Sequence, residues 1–442
     1  MRGTVVLIII LGSLPFCLSQ PWIGVLMYSW ISYMNPHRYA WGPARDFPVA
    51  LIVALTTLIG LAFTRDKSSL TKDGITVLML LLWVVFAFTT IFAINRDDAF
   101  AHFLQTSKIW LMILVSVLLI NNPKKLRYLI LVIALSLGLI GIKGGIWALT
   151  SGGANRVYGP DGTFISDNND VALAFNMALP LMLYLSKDEK NYWLRMLLKT
   201  SFALTIVATI FTYSRGGFLA LAVVGFLSLV KARYKSLAIV LVTIAVVLGT
   251  LIVPAQWSER MGTIQTYQED RSAMGRINAW RTALNLALDR PLVGGGFEAL
   301  LTGYVFRRYA PDPDDMHDVH SIYFEMLGEQ GFIGFALYLI LIGSSFTTLM
   351  GLKRLLRRNP EIEWARYYPD MLQVSMIAYL VGGSFLGRAY FDMFYQLLIV
   401  ISIMRRLLLL EVLGKVKAPA VVVGPVGGRA PIPAAVGWRA QT

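Results

Sequence analysis

A succession of apolar runs constrains this chain more than any other feature. Most of them approach the ~20 residues that a helix needs to cross a bilayer. They lie near Val5–Met34 (one broken span or two short ones), Phe47–Phe63, Ile75–Ala93, Ala99–Ile120, Leu126–Leu149 and Val171–Leu185. Others follow at Met196–Thr212, Gly217–Val230, Leu237–Val253, Ser321–Met350, Met371–Leu386 and Phe391–Leu410. Only 15% of the 442 residues are charged, against about a quarter in soluble domains. The runs predict an all-α polytopic membrane protein with about twelve crossings. The apolar opening is expected to stay as an uncleaved first span, because it lacks a small-x-small cleavage site and more apolar sequence follows at once. The lone cysteine, Cys17, excludes a disulfide or thiolate cluster within one chain.

The net charge of +14 follows topology rather than nucleic-acid affinity. One set of loops holds Arg65, Lys67 and Lys72; Lys124, Lys125 and Arg127; Lys187, Lys190 and Lys199; Lys231, Arg233 and Lys235; and Lys353, Arg354, Arg357 and Arg358, with Arg405, Arg406, Lys415 and Lys417 near the end. Cytoplasmic loops collect Lys and Arg, so this set is expected inside. The Arg96 turn, the Ser151–Asp170 loop, Ser214-Arg215, the segment Pro254–Val319 and Arg388 are then expected outside. The organisation that follows is transmembrane helices over 1–253, an outer loop with amphipathic helices over 254–320, further spans over 321–413, and a Gly/Pro/Ala/Val-rich disordered cytoplasmic tail over 414–442.

Polar residues are informative where the surroundings make them costly. Thr212-Tyr-Ser-Arg-Gly-Gly217 joins two apolar runs with almost no loop, which sets Arg215 at the outer face, where a guanidinium suits a phosphate and equally anchors to headgroups. Arg271–Arg290 has Ile277, Trp280, Leu284, Ala287 and Leu288 on one helical face and is expected to cap the bundle or lie on the membrane. Arg276 sits at the edge of that face, which calls for an anionic partner or for snorkelling. Pro291 followed by Gly294-Gly-Gly296 reads as a tight turn. Asp167-Asn-Asn-Asp170 supplies a helix cap, with sugar binding a secondary role for Asn168 and Asn169. Asp312, Asp314 and Asp315 form an Asp-x-Asp pattern of the kind used by metal-dependent glycosyltransferases, and His317 could add a nitrogen; a solvated acidic loop is the simpler reading. His320 precedes the helix starting at Ser321, at the depth of Arg215. There a neutral imidazole can accept a hydroxyl proton or merely cap the helix.

Three motifs in this order resemble the O-antigen ligase and polymerase superfamily: Thr212-Tyr-Ser-Arg-Gly-Gly217; Gly275-Arg-Ile-Asn-Ala-Trp280 with Pro291-Leu-Val-Gly-Gly-Gly296; and His320-Ser-Ile-Tyr-Phe-Glu-Met-Leu-Gly-Glu-Gln-Gly331. Pro21-Trp-Ile-Gly-Val25 and Tyr33-Met-Asn-Pro-His-Arg-Tyr-Ala-Trp-Gly42 look like its branch of O-glycosylation ligases associated with exosortase systems. The resemblance implies a GT-C-type fold in the bacterial inner membrane with a periplasmic active site. It implies transfer of a glycan from an undecaprenyl-diphosphate carrier to an acceptor hydroxyl, on lipid A core or protein, with inversion and without a metal or other cofactor. It assigns His320 as base and Arg215 and Arg276 as diphosphate ligands, with Arg281 a weaker third; Asn168, Asn169, Tyr213, Ser214 and Tyr323 are candidate substrate contacts. A polymerase acting on lipid-linked repeat units shares these motifs. A transporter is the alternative of another class, with Lys108 and Lys143 as its only clear intramembrane charges.

Overall fold

A computed structural model describes residues 2–40, 42, 45–70, 73–230 and 271–414, and among these every regular element is a helix. In chain order they are α1 (Arg2–Ser19), α2 (Pro21–Met34), α3 (Val49–Phe63), α4 (Gly74–Ile91), α5 (Arg96–Leu119), α6 (Pro123–Thr150), α7 (Asn168–Asp188), α8 (Tyr192–Ile210) and α9 (Arg215–Val230). They continue with α10 (Arg271–Asp289), α11 (Gly303–Tyr309), α12 (Ile322–Arg358), α13 (Tyr368–Gly383) and α14 (Asp392–Val412). The expected span Leu237–Val253, the outer segment before Arg271 and the tail beyond Gly414 lie outside the described residues. The first apolar run is two helices, divided where Pro21 opens α2. Proline favours that first helical position because its missing N–H has no intrahelical partner there.

The chain is an integral membrane protein. Among the described residues α4, α5, α6, α8, α12 and α14 are long and apolar enough to cross a membrane, and three shorter apolar helices accompany them. That is fewer than the expected twelve. The reason is local: α2 and α13 have only 14 and 16 residues, and α7 carries Asn168, Asn169, Asp170 and Asn176. Yet α7 is buried almost throughout, as is α14. A helix apolar on all sides has to be surrounded; α6, α8, α9 and α13 surround α7, and α5, α12 and α13 flank α14. Contact between α6 and α8 is close because small residues face it: a Cβ on Gly141 would lie 2.0 Å from Thr205 Oγ1, and one on Gly145 2.4 Å from the Leu204 carbonyl. Lipid offers no hydrophobic drive for helices to associate, so such close backbone approach carries the packing.

Hydrogen bonds sort the loops into two ends. At one end Lys125 reaches Asp66 at 2.8 Å, Arg127 reaches Glu189 at 2.7 Å, Lys353 reaches Asp370 at 2.7 Å, and Arg406 donates to the Val117 and Ile120 carbonyls. At the other end Asn168 meets Thr212, Arg388 meets Asp170, His102 meets Glu298, and Ile94 meets Gly295. Contacts therefore respect the division that the basic loops suggested.

α10 caps the second end by packing on α12. Its buried face differs from the expected one. Gly275, Ala279, Thr282, Ala283, Leu286 and Ala287 are buried, whereas Leu284 and Leu288 are 38% and 62% exposed. Small residues won the contact because α12 approaches closely: a Cβ on Gly328 would meet the Ala283 Cβ at 3.0 Å. The larger leucines point away from the bundle.

The triple glycine after α10 docks onto a break in α12. Gly331 adopts φ 66 and ψ −174 inside the 37-residue helix, whose length of about 55 Å far exceeds the hydrocarbon core. Backbone groups freed by that break bind the turn: Gly295 N donates to the Gly328 carbonyl at 2.9 Å, Gly296 N to Glu329 at 2.8 Å, and Phe332 N to Pro291 at 2.8 Å. A Cβ on Gly331 would lie 2.7 Å from the Pro291 carbonyl, and one on Gly294 2.6 Å from the Gly328 carbonyl. Both glycines also have positive φ. Gly331→Ala is therefore expected to cost about 1–3 kcal/mol and to lower the thermal midpoint in detergent, whereas Gly343→Ala, with nothing near its Cβ position, is expected to leave it unchanged.

Candidate active site

The Thr212–Gly217 turn is locked to the head of α7. Asn168 Nδ2 donates to the Thr212 carbonyl at 2.8 Å, and Asn176 Nδ2 to the Gly217 carbonyl at 2.9 Å. Ser214 caps α9 by accepting from Gly217 N at 3.0 Å. Tyr213 holds φ 55 and donates its hydroxyl to the Gly153 carbonyl. These contacts fix Arg215 at the first position of α9. Arg276 comes from α10, far along the chain. Both line one cavity of about 160 Å³, together with Arg156, Asn168, Asn169, Tyr213 and Ser214; the remaining described lining is Gly, Leu and Phe. Three arginines among the described lining residues bring guanidiniums together in a partly buried pocket, where a low dielectric strengthens their attraction for an anion.

His320 lies beside this cavity, on a segment that α10 holds from above. Asn278 donates through Nδ2 to the Asp312 and Asp315 carbonyls at 2.7 and 2.9 Å and accepts through Oδ1 from Asp312 N at 3.0 Å. Trp280 Nε1 donates to the Val319 carbonyl at 2.7 Å, and its ring stacks on Phe324. His320 itself is forced to φ 41, a conformation that is sparsely populated outside glycine and recurs at functional sites. Burial pushes its imidazole pKa below the ordinary 6.5; Asp318 opposes this, Arg276 adds to it, and Asp167 and Asp170 oppose it. Asp318 Oδ2 is 3.6 Å from Nδ1. That is too long for a hydrogen bond, so Asp318 acts on the ring as a nearby charge that favours the imidazolium.

The acidic loop turns out to be a buttress. Asp312 Oδ1 accepts from Asp314 N at 3.2 Å, Asp315 lies 2.9 Å from His317 Nδ1, and the His317 ring packs where a Cβ on Gly275 would sit. Among the described residues no three His, Cys, Asp or Glu side chains cluster to hold a metal ion. Arg281 is exposed on α10 and does not line the cavity. Tyr323 also lies outside the lining, its hydroxyl donating to the Leu380 carbonyl at 3.3 Å.

Three contributors were not singled out from the sequence. Arg156 completes the cavity. Asp318 sits beside the base. Asp170, 2% exposed, takes two hydrogen bonds from Arg388, one of them Nε to Oδ1 at 2.7 Å. This pair joins the start of α7 to the connector between α13 and α14. The connector is also held by Glu325, which accepts from Ala389 N at 2.7 Å, and by Glu329, which accepts from the Tyr390 hydroxyl at 2.8 Å. The two glutamates of the His320 motif therefore position backbone and tyrosine rather than substrate.

Residues 200–339, which include Arg215, Arg276 and His320, match the family model described as O-Antigen ligase. Residues 1–190 match a family of unknown function (DUF5935). No curated protein matches the chain.

The surroundings of His320 give a test with opposite signs. Asp318→Asn removes the strongest neighbour favouring the imidazolium and is expected to lower the His320 pKa further, whereas Arg276→Ala removes a repelling cation and is expected to raise it. NMR titration of imidazole-labelled protein, which has only four histidines, reads both shifts.

Proposed function

From a chain whose residues 200–339 match the O-antigen ligase family model, we propose a glycosyltransferase that moves a glycan from an undecaprenyl-diphosphate carrier to an acceptor hydroxyl at the periplasmic face of the inner membrane. The observation that carries this reading is the meeting of Arg215 and Arg276, from separate elements, in one arginine-lined cavity beside His320. Orientation rests on the basic loops at the opposite end, which belong in the cytoplasm.

The chemistry is a displacement at the anomeric carbon. An acceptor hydroxyl attacks that carbon, the bond to the diphosphate oxygen breaks, and the hydroxyl proton passes to the imidazole of His320. Undecaprenyl diphosphate leaves, and the anomeric configuration inverts because attack comes from the face opposite the leaving group. Arg215 and Arg276, with Arg156, stabilise the negative charge that grows on the diphosphate; preorganised cations in a water-poor site act most strongly where charge develops. Guanidiniums can fill the role a divalent cation takes elsewhere, so metal-independent transfer is part of the proposal. Ser214, Tyr213, Asn168 and Asn169 offer neutral hydrogen bonds around the same headgroup. Lipid A core and protein are the acceptor classes considered.

Purified protein given undecaprenyl-diphosphate glycan and acceptor is the test. His320→Ala is expected to slow transfer by ~10²–10⁴-fold, and Arg215→Ala or Arg276→Ala by about 10²-fold or more, with folding retained and EDTA without effect. Near-normal transfer by His320→Ala overturns the base assignment, and loss with EDTA that manganese restores overturns metal independence. The pH profile follows from the depressed pKa of His320. The active form is neutral, so the rate falls only in acid, and at pH 6.5, the ordinary imidazole value, it is expected to stay above half its plateau.

A further inference from the structure

A second cavity, of about 390 Å³, opens at the same end of the bundle. The connector between α13 and α14 serves both: Phe385 and Leu386 line the arginine cavity, whereas Gly387, Arg388 and Tyr390 line the second. Its other walls come from α2 and the turn after it, from α5, and from the loop before α7. Most of this wall falls within residues 1–190 and none of it comes from α8 to α11.

Both guanidiniums of the second cavity are already matched: Arg38 Nη1 lies 3.2 Å from Asp46 Oδ1, and Arg388 holds Asp170 from two sides. Two carboxylates, Glu325 and Asp392, also line it, and each accepts a backbone N–H, from Ala389 and Met393 respectively. Burial and Arg38 push the imidazole pKa of His37, in its wall, below the ordinary value, against the pull of Asp46. Paired guanidiniums beside two hydrogen-bonded carboxylates leave no excess positive charge for a phosphate. What the lining does offer is aromatic side chains from Tyr28, Phe164 and Tyr390, beside amide and hydroxyl groups from Asn35, Gln105 and Thr163. Flat apolar faces with a few fixed donors and acceptors suit a neutral polyhydroxyl ring.

The cavity also approaches the proposed base. A Cβ on Gly387 would lie 3.3 Å from Asp318 Oδ1 and 3.7 Å from Glu325 Oε2, and Asp318 is the carboxylate beside His320. Asn35, which lines the cavity, has φ 49, so the wall contains the same kind of constrained backbone as the first site.

We propose that this second cavity binds a neutral saccharide of the acceptor, presenting its hydroxyl toward His320 from the side away from the arginines, so that the N-terminal helices select the acceptor. The inference rests on the transferase reading above. The test uses the full chain in nanodiscs, with undecaprenyl-diphosphate glycan as donor and the isolated natural acceptor fraction as acceptor. Gln105→Trp and Thr163→Trp fill the cavity; Leu104→Trp, on an exposed neighbouring position, is the control. The acceptor KM is expected to rise about tenfold or more, equivalent to roughly 1.4 kcal/mol, in both filling variants and not in the control, while the donor KM stays within about twofold. Unchanged kinetics in both filling variants overturn the proposal. A rise in donor KM alone assigns the cavity to the donor glycan and overturns it too. An inactive wild-type protein defeats the transferase reading first and this inference with it, which separates the two failures.

Discussion

Inside a bilayer every backbone N–H and C=O needs a partner within the protein. This constraint organises the whole molecule. Helices satisfy it, so the spans are left with little chemistry of their own. Irregular backbone gathers at one end, where neighbouring helices shelter it. The described non-glycine residues with positive φ are Asn35, Tyr213, Glu298 and His320. Tyr213 and Asn35 line the two cavities, His320 stands beside the first, and Glu298 lies 2.6 Å from His102, which lines the second. Hydrogen bonding from that imidazole holds the Glu298 carboxyl below its ordinary range. Strain and chemistry share that end, where sheltered loops let the chain leave the helix.

Charge pairing then divides this end into unlike compartments. Asp170 matches Arg388, and Asp46 matches Arg38. The Arg38–Asp46 pair is a surface contact, with Asp46 81% exposed, and adds little; Asp170 is buried, so removing Arg388 would leave a costly lone charge, and it is the Arg388–Asp170 pair that matters. Its use here is positional: it pins the connector at Gly387–Tyr390 between the cavities. The arginines of the first cavity come from α9, α10 and the loop before α7, so three separate parts of the chain must fold before the anion site exists. The acidic loop at Asp312–Asp315 contributes through its backbone, held by Asn278, and thereby sets the height of His320.

Much of this was legible in the residues. The helical class, the end on which Arg215, Arg276 and His320 fall, and the structural nature of the triple glycine follow from spacing and charge. The buried face of α10 was not legible, because helical periodicity weights large apolar side chains. Here Ala279 and Ala283 pack inward while Leu284 and Leu288 stay exposed. Arg281 shows the same limit, since a basic residue close in sequence to Arg276 points to a different side of the helix. Asp170 looked like a cap and Arg388 like an orientation marker. Their pairing joins residues 218 positions apart, which no local pattern reveals. The second cavity was hidden for the same reason, being assembled from six separate segments of the chain.

The most direct measurement is an experimental structure of the full chain with a prenyl diphosphate bound. The account expects phosphate oxygens within about 3.2 Å of the guanidiniums of both Arg215 and Arg276, with the His320 imidazole facing the carbon to be attacked. A diphosphate seated in the second cavity, or at the end that carries Lys125 and Arg127, would contradict it.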